Sequence, residues 1–170
     1  MAIILIQKDI TEITNGVIVH GCNAKGVMGS GVAKAIKNKW PGAYMAYRTV
    51  YIEDGLFLGD TIWYQANENL FIINAITQET YGTDGKVYAN IDAIDNAIYN
   101  IICAVRGTDL QSKIYMPKIG CGLGGLSWDD TVEPVVRDLL NHESYDVNIR
   151  ICDINLYNFN TGKYENIRQN

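Results

Sequence analysis

The chain has 170 residues, of which 48% are hydrophobic, and its formal net charge is -5. This length suits one domain with a substantial core, and the hydrophobic content excludes an intrinsically disordered chain. The acidic balance disfavours the broad basic surface with which proteins hold nucleic acids. A small anionic ligand remains compatible, because backbone N–H groups and helix ends bind phosphate without a basic patch.

The sequence contains no run of about 18 apolar residues, and its N-terminus lacks the order of segments found in a signal peptide. We therefore predict a cytoplasmic protein without a membrane partner. The four cysteines, Cys22, Cys103, Cys121 and Cys152, include no C-x-x-C pair, and only two histidines accompany them. Free thiols are expected, with no zinc site, no other metal and no cofactor.

Hydrophobic runs predict six strands, and helical patterns occur between them. The predicted strands are Ile3–Ile6, Val17–Val19, Thr61–Tyr64, Leu70–Asn74, Ile114–Met116 and Val147–Ile151. The predicted helices are Val32–Lys39, Gly42–Tyr51, Ile91–Val105 and Thr131–Asn141, with Asn90 and Ser127 as N-cap residues. Several strands are apolar without alternation, which is typical of a sheet covered on both faces. The sequence thus predicts an α/β fold, a three-layer α/β/α domain with a central mixed sheet of about six strands. Residues 1–157 would form this domain and residues 158–170 a polar tail.

Two glycine-rich stretches follow predicted strands and precede predicted helices. The first runs from His20 to Ala33 and carries glycines at 26, 29 and 31, and the second runs from Ile119 to Trp128. Glycines let a ligand approach the main chain, and free N–H groups at a helix start favour phosphate. Each stretch alone is equally compatible with a plain connection, but together they suggest two loops that grip one diphosphate. Neither matches the dinucleotide G-x-G-x-x-G pattern or a P-loop.

These residues resemble the macro domain, a family that binds ADP-ribose and its derivatives. The resemblance runs nearly end to end and includes Lys8-Asp9-Ile10-Thr11, both glycine-rich stretches, and the closing strand that leads to Asn155-Leu156-Tyr157. The first stretch is most similar to ADP-ribose 1″-phosphate phosphatases and terminal ADP-ribose glycohydrolases. The second also looks like that of DNA ADP-ribosyl glycohydrolase antitoxins.

The resemblance implies a set of binding residues. Asp9 would accept a hydrogen bond from the adenine amino group, with the Ile10 N–H beside it; the alternative is that Asp9 caps a turn. Tyr157 would stack on the adenine or would simply pack in the fold. The remaining implied ligand contacts are Gly21, Cys22, Asn23, Met28, Gly29, Ser30, Gly31, Val32 and Ala33 in the first stretch, and Ile119, Gly120, Cys121, Gly122, Leu123 and Gly124 in the second.

Two residues are candidates for catalysis. Asn23 would contact a hydroxyl of the distal ribose and position a water or phosphate, because an amide both donates and accepts; its other interpretation is a turn residue. His20, which the resemblance also places at the phosphatase site, would act as base, acid or phosphate contact. A structural role is the alternative for His20, and the catalytic interpretation requires that its ring face the ligand.

The chain departs from the family at two positions. Terminal ADP-ribose glycohydrolases use a lysine in the segment matching Ile76-Thr77-Gln78 and an aspartate in the segment matching Leu123-Gly124. This chain has Gln78 and Gly124 there. Glutamine is a poor nucleophile and glycine has no side chain, which disfavours covalent glycohydrolase chemistry.

The resemblance therefore favours hydrolysis of ADP-ribose 1″-phosphate to ADP-ribose and phosphate, in which N–H donors and helix ends stabilise charge. One alternative is an ADP-ribose reader or sink without turnover, and another is a hydrolase of ADP-ribose esters. The expected partner is the free small molecule, with an ADP-ribosylated macromolecule as the alternative.

Overall fold

A computed structural model describes residues 2–142, 146–158 and 163–166. A six-stranded sheet has the order β1-β6-β5-β2-β4-β3. Its strands are Ala2–Gln7 (β1), Gly16–Asn23 (β2), Thr61–Asn67 (β3), Leu70–Gln78 (β4), Ile114–Met116 (β5) and Asn148–Asp153 (β6). All neighbouring pairs are parallel except β3–β4, which is antiparallel. Two further strands, Asn155–Asn158 (β7) and Lys163–Asn166 (β8), pair with each other, so the segment predicted as a tail contains a strand.

Helices cover both faces of the sheet. Their bounds are Gly31–Lys39 (α1), Pro41–Glu53 (α2), Ile91–Val105 (α3) and Glu133–His142 (α4). This arrangement confirms the predicted three-layer α/β/α fold with a mixed sheet of six strands. None of the helices in the described residues combines the length and the apolar character that a bilayer crossing requires.

Successive side chains of each buried strand point to opposite faces of the sheet. On β2, Val17 and Val19 pack into the larger core with α3 and α4. Ile18, on the opposite face, packs into a second core with Ile36 of α1 and Ala43 of α2. Helices on both sides explain why the strand sequences are apolar without alternation.

The predicted N-caps are present. The side chain of Asn90 accepts a hydrogen bond from the Ala93 N–H at 2.9 Å, and Ser127 Oγ accepts one from the Asp130 N–H at 3.2 Å. The predicted helix Thr131–Asn141 differs at its start, however, because its first residues are π-helical and not α-helical. A π-helical turn, Trp128–Val132, precedes α4, because the N–H groups of residues 131 and 132 both donate to the Ser127 carbonyl at 3.2 Å.

The packing of α3 on the sheet predicts a large effect of core truncation. Ile102 is fully buried in the larger core, whereas Ile52 on α2 is 68% exposed. Ile102→Ala is expected to lower the free energy of unfolding by about 2–5 kcal/mol, because it removes buried methyl groups and leaves a cavity. Ile52→Ala is the matched control, with an expected change within about 0.5 kcal/mol. Urea denaturation measures both, and equal effects of the two substitutions would contradict the described core.

Candidate functional site

A cavity of about 440 Å³ lies where the carboxyl ends of β2, β4 and β5 meet. Ligands of open α/β sheets bind at this edge, because parallel strands deliver their following loops to one place. Both glycine-rich stretches line the cavity. The predicted site residues that line it are Gly21, Cys22, Asn23, Gly29, Ser30, Gly31, Val32, Ala33, Ile119, Gly120, Gly122, Leu123 and Gly124.

The first wall of the cavity ends in the N-terminus of α1. Ser30 is the N-cap residue, yet its side chain makes no capping hydrogen bond. Gly31 has a φ of 57°, a left-handed conformation that favours glycine. The first N–H groups of α1 therefore have no side-chain cap from Ser30, and they can serve an anion in the cavity.

The second wall is a tight loop that leaves little room for side chains. The Leu126 N–H donates to the Gly120 carbonyl at 3.0 Å, and the Ala89 N–H donates to the Gly124 carbonyl at 3.0 Å. A Cβ atom on Gly124 would lie 2.5 Å from the Gly120 oxygen and 2.9 Å from the Ala89 Cβ. This crowding explains why position 124 holds glycine: an aspartate there requires a different loop conformation.

Asn23 organises the loop that it begins. Its Oδ1 accepts hydrogen bonds from the N–H groups of Lys25 at 2.9 Å and Val27 at 3.4 Å, and its Nδ2 donates to the Val27 carbonyl at 2.7 Å. The side chain thus fulfils the turn role that was the alternative interpretation. An amide nitrogen has two hydrogens, and the second has no partner in the described part of the chain. Asn23 can therefore hold its loop and still donate one hydrogen bond into the cavity.

Tyr47 of α2 supports Asn23 from behind. Its hydroxyl donates to the Asn23 carbonyl at 2.6 Å and lies 2.9 Å from Asn23 Oδ1, and its side chain is fully buried. Burial raises the pKa of Tyr47 above its usual range, so the hydroxyl stays protonated and can donate. Sequence reasoning did not find this residue, because nothing in the sequence distinguishes it from the other tyrosines of a chain that has eleven.

His20 lies away from the cavity. Its side chain is fully buried between β2 and α2, and its Nε2 is 2.7 Å from Asn74 Oδ1. Asn74 in turn donates from Nδ2 to the Ala43 carbonyl at 3.0 Å. Burial lowers the pKa of His20 to about 4, although the hydrogen bond with Asn74 acts in the opposite direction. The expectation that this ring faces the ligand is therefore not supported, because alternation along β2 turns it towards α2.

Other predicted residues also lie off the cavity wall. Met28 is buried in a cluster with Tyr47. The Cys121 thiol donates to the Ile119 carbonyl at 3.3 Å, and partial burial raises its pKa to about 11. Asp9 caps a short 3-10 turn by accepting from the N–H and the hydroxyl of Thr11, each at 2.8 Å.

The predicted adenine contacts of the Ile10 N–H and of Tyr157 stay predictions. Ile10 is buried and packs in the core between the sheet and α1. This packing concerns the Ile10 side chain and not its N–H, and the side chain of Tyr157 lies outside the described residues.

The cavity also contains residues outside the predicted set of ligand contacts. Gln78, one of the two departures noted in the sequence, donates from Nε2 to the Thr80 carbonyl at 2.8 Å. Tyr81, which is 52% exposed, stands at the rim. Lys118 follows β5 and supplies a positive charge. Its position between a strand and a glycine-rich loop was the available signal for a ligand contact.

The buried position of His20 predicts how stability depends on pH. The unfolded chain binds a proton near the ordinary pKa of 6.5, whereas the folded protein does so only near 4. The folded state thus binds fewer protons in this window, and the free energy of unfolding falls as the pH decreases from about 6.5 to about 4. The full effect is about 3 kcal/mol.

Urea unfolding between pH 7.5 and pH 4.5 measures this effect. We expect His20→Gln to show a shallower loss of stability at low pH than the unsubstituted protein, because it has no ring to protonate. His142 is exposed, so His142→Gln is the matched control, and it should keep the steep pH dependence of the unsubstituted protein. Identical pH profiles of His20→Gln and the unsubstituted protein would contradict the assigned burial.

Comparison with known proteins agrees with this architecture. The family model described as "Macro domain" matches residues 19–135. A DNA ADP-ribosyl glycohydrolase of Mycobacterium tuberculosis is 29% identical over 133 residues, covering 75% of this chain and 36% of that protein. An ADP-ribose 1″-phosphate phosphatase of Debaryomyces hansenii is 26% identical over 163 residues, covering 81% of this chain and 88% of that protein.

A solved structure shows the same fold. The macrodomain of Thermus aquaticus DarG has a TM-score of 0.74 and 21% identity, covering 89% of this chain and 98% of that one. The chain thus corresponds to nearly all of a separate macrodomain but to only about a third of the mycobacterial relative's length. Because the family model matches well over half of its residues, the chain belongs to the macro domain family.

Proposed function

We propose that the cavity binds an ADP-ribose group, with the diphosphate between the two glycine-rich walls. The observation that carries this proposal is the meeting of two main-chain loops and the N-terminus of α1 around one cavity of about 440 Å³. Such donors suit a diphosphate, because they supply N–H groups and a favourable helix dipole at one point. The names of both curated relatives refer to ADP-ribose chemistry, which supports the same ligand.

Each part of the ligand has a proposed place. The distal ribose lies near Asn23, whose remaining amide hydrogen points to a hydroxyl group. The adenine lies towards Asp9 and Tyr157. Asp9 is exposed, and both hydrogen bonds from Thr11 go to Oδ1, so Oδ2 can accept from the adenine amino group.

We further propose that the protein hydrolyses ADP-ribose 1″-phosphate. Water adds at phosphorus, the bond from phosphorus to the ribose oxygen breaks, and the products are ADP-ribose with a free 1″-hydroxyl and inorganic phosphate. Support comes from the phosphatase relative, of which this chain spans 88%. Neither a carboxylate nor an imidazole lines the cavity in the described residues, so N–H donors would stabilise the charge of the transferred group.

Binding without turnover is the second candidate function. It is favoured by the burial of His20, which leaves the cavity without the acid or base that the sequence offered. The same arrangement is compatible with cleavage of ADP-ribose esters by a water held near Asn23. Direct measurements of ADP-ribose binding, phosphate release and ester cleavage distinguish these three functions.

The open side of Gly122 gives a direct test of binding. A Cβ atom there would meet nothing within 4 Å, and its φ is not in the left-handed region, so a side chain is tolerated by the fold. We expect Gly122→Glu to weaken ADP-ribose binding at least a hundredfold by calorimetry, because it adds bulk and a carboxylate to an anion site. Gly122→Ala is the matched control and should stay within about tenfold of the unsubstituted protein.

Thermal unfolding should be nearly the same for the two variants. If Gly122→Glu binds ADP-ribose as tightly as Gly122→Ala, the diphosphate does not lie against the second wall. If the unsubstituted protein does not bind ADP-ribose at all, the proposed function is wrong.

The proposed reaction is tested by phosphate release from ADP-ribose 1″-phosphate. We expect release by the unsubstituted protein and at least a tenfold lower rate for Asn23→Ala, because the amide positions both its loop and the ribose. The control is Asn141→Ala, which changes an exposed asparagine of α4 and should leave the rate unchanged. ADP-ribose binding without phosphate release would overturn the phosphatase proposal and favour a binding protein or, if an ADP-ribose ester is cleaved, an ester hydrolase.

A further inference from the structure

Lys118 differs from every other residue on the cavity wall. Among the described residues that line the cavity, it alone carries a formal charge at neutral pH, while glycines and apolar side chains supply most of the surface. It directly precedes the second glycine-rich loop and follows Pro117 at the end of β5. Lys118 therefore combines a positive charge with a place beside the main-chain donors of the second wall.

An ion pair fixes the position of this side chain. The Lys118 Nζ lies 3.0 Å from Asp153 Oδ2, and the two side chains are 32% and 15% exposed. Asp153 is the last residue of β6 and lies opposite Gln7 of β1 in the parallel register. The pair thus joins the carboxyl ends of two neighbouring strands, and it restrains the ammonium of a residue that lines the cavity.

The environment increases the effect of this charge. A lysine in open solvent interacts weakly with an anion, because water and salt screen it. The Lys118 side chain is about two-thirds covered and shares a cavity wall with N–H donors, where screening is lower.

We propose that Lys118 is a specificity-determining residue of this site, whose ammonium contacts the diphosphate and selects anionic ligands. Asp153 is its positioning residue, because it keeps the flexible lysine stem against the wall. This inference rests on the proposed function for the identity of the ligand. It adds an electrostatic contact from a side chain to a site that is otherwise built from main-chain donors.

Calorimetric titration with ADP-ribose tests the inference through its dependence on salt. At 50 mM NaCl, we expect Lys118→Met to weaken binding at least tenfold, whereas Lys118→Arg keeps the charge and stays within threefold. At 500 mM NaCl, the difference between Lys118→Met and the unsubstituted protein should shrink to less than half on a logarithmic scale, since salt screens the charge. If Lys118 had only a structural role, the loss of affinity in Lys118→Met would not depend on salt.

The control is Lys34→Met, which makes the same change of charge on an exposed residue of α1 outside the cavity lining. It should leave affinity within twofold at both salt concentrations. Equal binding by Lys118→Met and the unsubstituted protein, or a loss of equal size at both salt concentrations, would overturn the inference while leaving the proposed function intact.

Inorganic pyrophosphate separates the two proposals further. Its binding depends on the anion alone, so Lys118→Met should weaken it while Lys34→Met should not. If ADP-ribose does not bind but pyrophosphate binds in a Lys118-dependent way, the proposed function fails and the anion contact stands. If neither ligand binds the unsubstituted protein, both proposals fail.

Discussion

Parallel pairing of β2 with β4 on one side and β5 on the other is the constraint on which the rest of the molecule depends. Because these strands run in the same direction, the loops that follow β2 and β5 reach the same edge of the sheet. The two glycine-rich walls, some ninety residues apart in sequence, thereby face one cavity. The pairing also requires helical crossovers, which cover both faces and account for the continuous apolar strands.

Polar groups beneath the cavity keep its wall in place. His20, Asn74 and the Ala43 carbonyl form a buried chain of hydrogen bonds that links β2, β4 and α2. Tyr47 links the same helix to Asn23 at the end of β2. A buried polar group is costly unless its partners are present, so these contacts specify one position of α2 against the sheet. The histidine thus contributes to the architecture of the site without entering it.

The sequence predicts the fold well where apolar runs and helix-capping residues mark the strands and helices. The six strands, the four helices and the N-caps Asn90 and Ser127 follow from apolar runs and capping chemistry, and both cavity walls follow from their glycines. The role of His20 could not be read in the same way, because its position at the start of a glycine-rich stretch does not show that its ring is buried against Asn74 of β4 on the face that α2 covers. Tyr47 and the Lys118–Asp153 pair were also missed. Their roles depend on contacts between residues that are far apart in the sequence, and no local motif predicts such contacts.

The central claim is that main-chain N–H groups from both walls hold one anionic ligand. Amide chemical shifts in a ¹H–¹⁵N spectrum, followed during titration with ADP-ribose, test it most directly. The account predicts the largest shifts at Gly29–Val32 and Gly120–Gly124 together, saturating at the same ligand concentration. Shifts confined to one wall, or to residues outside the cavity such as the β3 edge, would contradict the account.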